Sequence, residues 1–256
     1  MNILTIDTTS NNASVALKVG ERIIENEQLN IRDHSVKIMP MIQEILKEGK
    51  IGINDVDVFG VITGPGSFTG IRIGIATIKG LAFDDENVEV YDMTSLEELA
   101  YNARSKVLEN DYIFSIIDAK NDQVYFGLYV FKDSKIQKIK EDANDIYNIL
   151  EILEKIENAS KIYIVGNGYE KHNEYLKELF KNHEIEKIED ENQHAKNIIV
   201  KILEENNNNN NNNNESGNEN KNGNIKKFKK AEDILPNYIK KAQAQRMLDE
   251  KNNKKK

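Results

Sequence analysis

No cysteine occurs in the 256 residues. That excludes a disulfide framework, a thiolate-bound metal and a thiol nucleophile, and it fits a reducing compartment. Histidine is scarce: His34, His172, His183 and His194 are the whole set, with no short paired spacing to place two ligands on one helical turn. No metal and no cofactor are therefore expected, and no catalytic Ser-His-Asp arrangement can be argued from spacing. No apolar run approaches the roughly 18 residues of a membrane span. The opening MNILTIDTTS carries no basic stretch before an apolar core, so neither a secretory leader nor a membrane partner is expected and the protein is expected to be cytoplasmic. The hydrophobic fraction, 39%, is low for a globular chain, and much of the shortfall lies towards the C-terminus.

Positive charge is scarce everywhere but at the end. The whole chain carries −8; residues 226–256 hold eleven Lys and Arg against four Asp and Glu, or +7, so the remainder carries −15. An acidic body repels phosphates and makes a poor nonspecific nucleic-acid binder. The basic tail suits either contact with RNA or an acidic partner, or simply a solubilising terminus.

What is present reads as alternating strands and helices. NILTIDTT and ASVALKV, separated by a polar SNN, form a hairpin pattern, and RIIENEQL adds a third extended run. RDHSVKIMPMIQEILKEG reads as a helix capped by Asp33, with Ile38, Met39, Ile42, Ile45 and Leu46 as its apolar face, Pro40 tolerated early, and Gly49 as its stop. A strand DVDVFGVIT, a glycine turn, a helix SFTGIRIGIATIKGLA, a strand VEVYDM and a helix SLEELAYNARSKV follow.

The pattern then begins again. IDAKNDQVYFGLYV, from Ile117, echoes IDTTSNNASVALKV, from Ile6, and YIVGNGY echoes VITGPGS. The offsets of 111 and 102 residues differ by an amount that loops absorb, which points to an internal duplication. The expected halves are residues 1–105 and 106–256. The second carries an Asn-rich insertion, about 206–224, too polar to offset its ordering entropy and expected to be disordered, and then LPNYI as an extended segment followed by a short helix.

The GPGSFTGIR turn lacks the lysine of a Walker loop and the glycine spacing of a dinucleotide fingerprint. In the helix after it, Ile71, Ile75, Ile78 and Ala82 share one face, while Gly70, Gly74 and Thr77 form a second stripe with almost no side-chain bulk. Glycine inside a helix costs about 1 kcal/mol against alanine, so two of them call for close approach of another backbone, from a partner or from the chain's own preceding helix. Asp7 and Asp118 each end a first strand and enter a tight turn, where an acid either positions a metal-bound nucleotide or hydrogen-bonds the turn itself.

Taken in order, ILTIDTTSNNASVAL, RDHSVKIMPMIQEIL, GPGSFTGIRIGIATIKGLA, IDAKNDQVYFGLY and LPNYIKKAQAQR resemble the segments of the TsaB (YeaZ) family, bacterial accessory proteins for threonylcarbamoyladenosine formation in tRNA. The resemblance covers nearly all of the chain except the Asn tract and the lysine tail. It implies an α/β fold of two related actin/Hsp70/sugar-kinase-like (RNase H-like) halves. It implies pairing with the homologous catalytic subunit TsaD, which carries the metal, joined by the ATPase TsaE, on tRNA that reads codons beginning with A. The chain would pair with itself when alone and reach tRNA only through the complex. The docking helices would span about Asp33–Lys47 and Ser67–Leu81, through His34, Ile38, Met41, Ile42, Ile45, Ser67, Gly70, Ile71, Gly74, Thr77 and Ile78. Where the catalytic relative has its His-x-x-x-His metal pair, this chain has Ser95 and Leu99, and where active kinases have a glycine after the first aspartate it has Asp7-Thr8-Thr9. A noncatalytic subunit is expected, with Asp7, Thr8, Gly64 and Gly66 as a vestigial nucleotide site. The rivals are an active ATPase or small-molecule kinase, and a metallopeptidase.

Overall fold

The structure, a computed structural model, describes residues 1–31, 33–83, 88–120, 122–149, 155–156, 161–213 and 228–239. The first half runs β1 (Ile3–Asp7), β2 (Ala13–Val19), β3 (Arg22–Gln28), α1 (His34–Gly49), β4 (Val58–Ile62), α2 (Phe68–Leu81), β5 (Glu89–Met93) and α3 (Ser95–Tyr101). The second runs β6 (Tyr112–Asp118), β7 (Gln123–Lys132), β8 (Lys135–Asp145), β9 (Lys161–Val165), α4 (Gly168–Leu179), β10 (Glu184–Lys187) and α5 (Lys196–Asn213), and is followed by β11 (Phe228–Lys229).

Both sheets have one topology. Their strand orders are β5-β4-β1-β2-β3 and β10-β9-β6-β7-β8, with β11 added outside β5. In each, the first three strands form an antiparallel meander and the next two pair parallel. Asp7 ends β1 as Asp118 ends β6. The turns after β4 and β9 contain Gly64 at φ 109° and Gly166 at φ 111°, a conformation that L side chains rarely adopt. The duplicated architecture of the sequence is thus the architecture of the fold.

Three apolar clusters stack the layers. α1 and α2 cover the outer face of the first sheet, with Ile38, Met41, Ile42, Ile71 and Ile78 packed on Leu4, Ile6 and Phe59. Phe114, Phe126, Leu176 and Phe180 do the same for the second sheet and α4. Between the sheets lies a shared core of Tyr91, Leu96, Leu99, Tyr129, Ile198 and Ile202. Here the halves exchange helices: α3 packs on β6, β7 and β8 of the second sheet, whereas α5 packs on β1, β2, β4 and β5 of the first.

The structure corrects several local expectations. Residues 228–239 do not extend the second half: Phe228 pairs with Tyr91 at the edge of the first sheet, Asn237 N–H donates to Thr63 O at 2.8 Å, and Ile234 is buried. α5 continues through Asn206–Asn213 as helix, because adding residues to a nucleated helix fixes far less chain per hydrogen bond than starting one; residues 214–227 and 240–256, with the remaining Asn tract and the tail, lie outside the described residues. Asp33 sits at the N-cap of α1 without a side-chain cap bond, and the helix runs through Gly49 to end at Lys50 in the left-handed conformation. Met41, not Met39, joins the buried face. α3 is shorter than its periodicity suggests, and β8, KIQKIKEDAND, forms a strand although its charges hide any alternation.

Candidate functional site between the two halves

Asp7, Thr8, Gly64 and Gly66 do come together, but as a closed structural knot. Asp7 is buried and its Oδ1 accepts the Thr9 N–H at 2.7 Å. Burial, only partly offset by the Thr9 hydrogen bonds and by His34, raises its pKa to about 6. The Thr8 hydroxyl donates to Gly70 O at 2.7 Å, and Gly64 O accepts the Ser95 N–H at 2.9 Å. The Ser67 N–H, at the mouth of α2 where a phosphate would be received, donates instead to Thr9 O at 2.6 Å. A Cβ on Gly66 would lie 2.3 Å from that same oxygen. In the second half, Asp118 Oδ1 accepts from Lys171 Nζ and from the Lys120 N–H, each at 3.1 Å.

The small-residue stripe of α2 faces inward. A Cβ on Gly70 would meet Thr8 O at 1.8 Å and one on Gly74 would meet Thr8 Oγ1 at 2.7 Å, so the two glycines admit the chain's own β1–β2 turn. Ile38, Met41, Ile42, Ile45, Ile71 and Ile78 are at most 1% exposed and belong to the core, not to a surface. His34 is half-buried with Nε2 3.2 Å from Asn12 O, exposed Ser67 caps α2 by accepting the Gly70 N–H, and Thr77 is half-buried. The faces left outward are others: Val36, Met39 and Pro40 on α1, and Thr69, Ala76 and Gly80 with half-buried Ile73 on α2. Periodicity separates two faces of a helix but does not say which one meets the sheet.

A cleft of about 700 Å³ opens between the halves, walled by the turn Thr9–Asn12, by Pro65, Gly66 and Ser67, by Asp118–Lys120 with Asn167, and by the loop Glu191–Gln193. That loop is stitched to the first half. Asn12 Nδ2 donates to Asn192 Oδ1 at 3.0 Å, Ala195 N–H to Ser14 Oγ at 2.9 Å, and Thr5 Oγ1 to Ala195 O at 2.7 Å. His194 holds Glu27 on Nδ1 at 2.6 Å and Asp190 on Nε2 at 2.9 Å. Beneath the cleft Ser95 Oγ lies 3.1 Å from Thr9 Oγ1, and Glu98 is fully buried with Gln193 alongside and no well-formed hydrogen bond to either oxygen among the described residues. Desolvation first, then the neighbouring Asp7 and Glu27, push its pKa well up and favour the uncharged acid.

Sequence reasoning found the turns, with Lys120 inside IDAKNDQ and Asn167 inside YIVGNGY, but assigned neither a role, and it missed Gln193, which belongs to no motif. Glu98 was within reach: in SLEELA it shares the face of Ser95 and Leu99, a buried face. Among the described residues, Glu25, Glu27 and His194 are the one group of three acids or imidazoles close enough to hold a metal ion, and their hydrogen bonds and ion pairs, including Glu25 to Lys196 at 3.1 Å, already engage them.

Two sheets of one topology, with exchanged helices between them and a cleft at their first-strand turns, define an α/β protein built from a repeated half. A family model described as TsaD: tRNA N6-adenosine threonylcarbamoyltransferase matches residues 22–246. The tRNA threonylcarbamoyladenosine biosynthesis protein TsaB of Bacillus subtilis is 30% identical over 181 residues, 70% of this chain and 76% of that protein. TsaB of Haemophilus influenzae is 33% identical over 156 residues, 60% of this chain and 62% of that protein's length. A Pseudomonas aeruginosa crystal structure, titled as similar to peptidase YEAZ, superposes with a TM-score of 0.72 at 23% identity, covering 93% of this chain and 99% of that one. The chain belongs to the TsaB (YeaZ) family. None of the helices among the described residues is long and apolar enough to cross a membrane.

Proposed function

We propose that the protein is a noncatalytic subunit of the machinery that forms N6-threonylcarbamoyladenosine in tRNA. It docks a TsaD-like catalytic subunit, is joined there by a TsaE-like ATPase, and pairs with a second copy of itself when the catalytic subunit is absent. The tRNA is met through the assembled complex. One observation carries the noncatalytic part: the Ser67 N–H that a phosphate would need is taken by Thr9 O at 2.6 Å, with Asp7 sealed behind it. An ATPase or kinase would need both open, and a metallopeptidase would need ligands where buried Ser95 and Leu99 stand.

The docking surface is the exposed side of α1 and α2, where Val36 is 66% and Met39 39% accessible and Thr69, Ala76 and Gly80 leave a low-relief strip for a facing helix. Gly74, whose Cβ position is filled by Thr8, is not a usable probe, since enlarging it would disturb the core. Ala76→Arg and Met39→Arg are the proper probes. Each should abolish co-purification with the catalytic subunit and shift the isolated protein to monomer in light scattering, with thermal unfolding unchanged. Retained pairing in both variants would remove this surface from consideration.

A further inference from the structure

A buried acid lies beneath the loop by which the chain crosses back from the second sheet to the first. Glu98, on α3, is 0% exposed, and neither carboxylate oxygen has a well-formed hydrogen bond among the described residues. The Gln193 Nε2 alongside is buried and unpartnered as well. Residues 190–195 form the loop. Asn102 Nδ2, at the end of α3, donates to Asp190 O at 2.9 Å and to Asn192 O at 2.8 Å, and the Ala195 N–H donates to Ser14 Oγ at 2.9 Å. Between Ile188 and Ala195 the chain carries no apolar side chain, whereas α3 buries Leu96, Leu99 and Ala100 in the shared core. Of the two coverings of Glu98, the loop opens at the lower cost.

Among the described residues no cation balances this acid. From β1 it faces Asp7 and from β3 Glu27, and both disfavour a further negative charge. His194, in the loop, spends its ring nitrogens on Glu27 and Asp190 and turns its backbone towards Glu98. Asn197, from α5, donates to the Glu98 backbone oxygen at 3.1 Å. The charges that α5 and β8 bring to α3 are paired with others: Lys196 with Glu25, Lys201 with Glu97, and Glu141 with Lys138 and the Tyr129 hydroxyl. A carboxylate at this place needs water, and lifting the loop, whose Glu191 and Asn192 are exposed, supplies it.

We infer that residues 190–195 form a proton-gated latch, closed over Glu98 in its acid form and lifted from the first half when Glu98 gives its proton to water, while both sheets stay folded. Opening breaks the Asn12–Asn192 bond and loosens one wall of the cleft. The latch goes beyond the subunit role and does not depend on it. Burial holds the Glu98 pKa well above its ordinary 4.5. The closed loop is therefore at full strength below about pH 4.5 and weakens as the pH climbs towards the raised value, about tenfold per pH unit for one proton released. His194 adds a second proton only between 6.5 and about 9, and Asp7 adds none while the Thr9 turn stays shut.

The test is hydrogen exchange of the full chain between about pH 5 and 9, read by mass spectrometry over residues 189–197 and corrected for the intrinsic rate of exchange. Protection there should fall about tenfold from pH 5 to 6, below the range of His194, while β9 keeps its protection. Glu98→Gln, an amide of the same size with no proton to release, should abolish that fall and leave only the part above about pH 6.5. Glu98→Leu should do the same, and it decides the matter where the amide variant does not fold. The inference is overturned if the parent's protection is level from pH 5 to 6.5, if the folded variant loses protection as the parent does, or if β9 is exposed in step with the loop.

Discussion

His194 carries a carboxylate on each ring nitrogen, and its pKa is raised to about 9, chiefly by the hydrogen bond to Glu27 and, against some desolvation, by that to Asp190. A folded-state pKa above the unfolded value means stabilisation that is complete below about pH 6.5 and drains away as the pH rises through about 9. Asp7 acts in the same direction lower down: the penalty for keeping it buried enters as the pH climbs from 3.8 through about 6. Chemical denaturation should therefore show stability falling between pH 6.5 and 9, and falling less steeply in His194→Gln, where buried Glu98 still resists ionisation. A His194→Gln profile parallel to the parent's would mean that the imidazole is not the titrating clamp. Asp7 stood out in the sequence at the end of its strand; His194 did not. His194 is a lone histidine in a polar stretch, and its two partners lie 167 and 4 positions away, so only the fold joins all three.

α2 shows how far an element can be read from its letters. The strand, glycine turn and helix were legible because apolar spacing, Ser67 and the glycines all agree, and Ser67 does cap the helix. Orientation was not legible, since two stripes at helical spacing compete and the winner is set by the β1–β2 turn lying over Gly70. Two substitutions in this one helix should therefore diverge in sign. Gly70→Ala drives a methyl into Thr8 O, 1.8 Å from the Cβ position, and should cost about 3 kcal/mol or more. Gly80→Ala meets nothing within 4 Å and should gain up to about 1 kcal/mol of helix propensity. Urea denaturation of the two proteins reads both, and equal effects would reject the inward assignment. β8 is the opposite case: Lys and Asp at both odd and even positions leave no period to detect, and only the antiparallel pairing with β7 makes it a strand.

At the scale of the molecule, the duplication was visible in the paired aspartates and paired glycine turns, because both copies kept the residues that their backbones require. The exchange of α3 and α5, and the return of residues 228–239 to the first sheet, were not, since neither depends on a local pattern. Ile234, 1% exposed beneath that returning segment, measures its grip. Ile234→Ala should lower stability by about 2–4 kcal/mol, seen as a lower urea midpoint, whereas Leu235→Ala at 69% exposure should change it by less than about 0.5 kcal/mol. Matching effects at the two positions would mean that the segment is not docked as described.

The placement of β11 and α5 has a consequence for biosynthesis. Chains emerge from the ribosome N-terminus first, and domains generally fold in that order. Here the sheet made first waits for the helix that covers its inner face, Lys196–Asn213, and for its last edge strand, Phe228–Lys229, until the whole second sheet has been translated. The nascent chain thus carries a greasy, half-clad platform while every strand of the second sheet is being made.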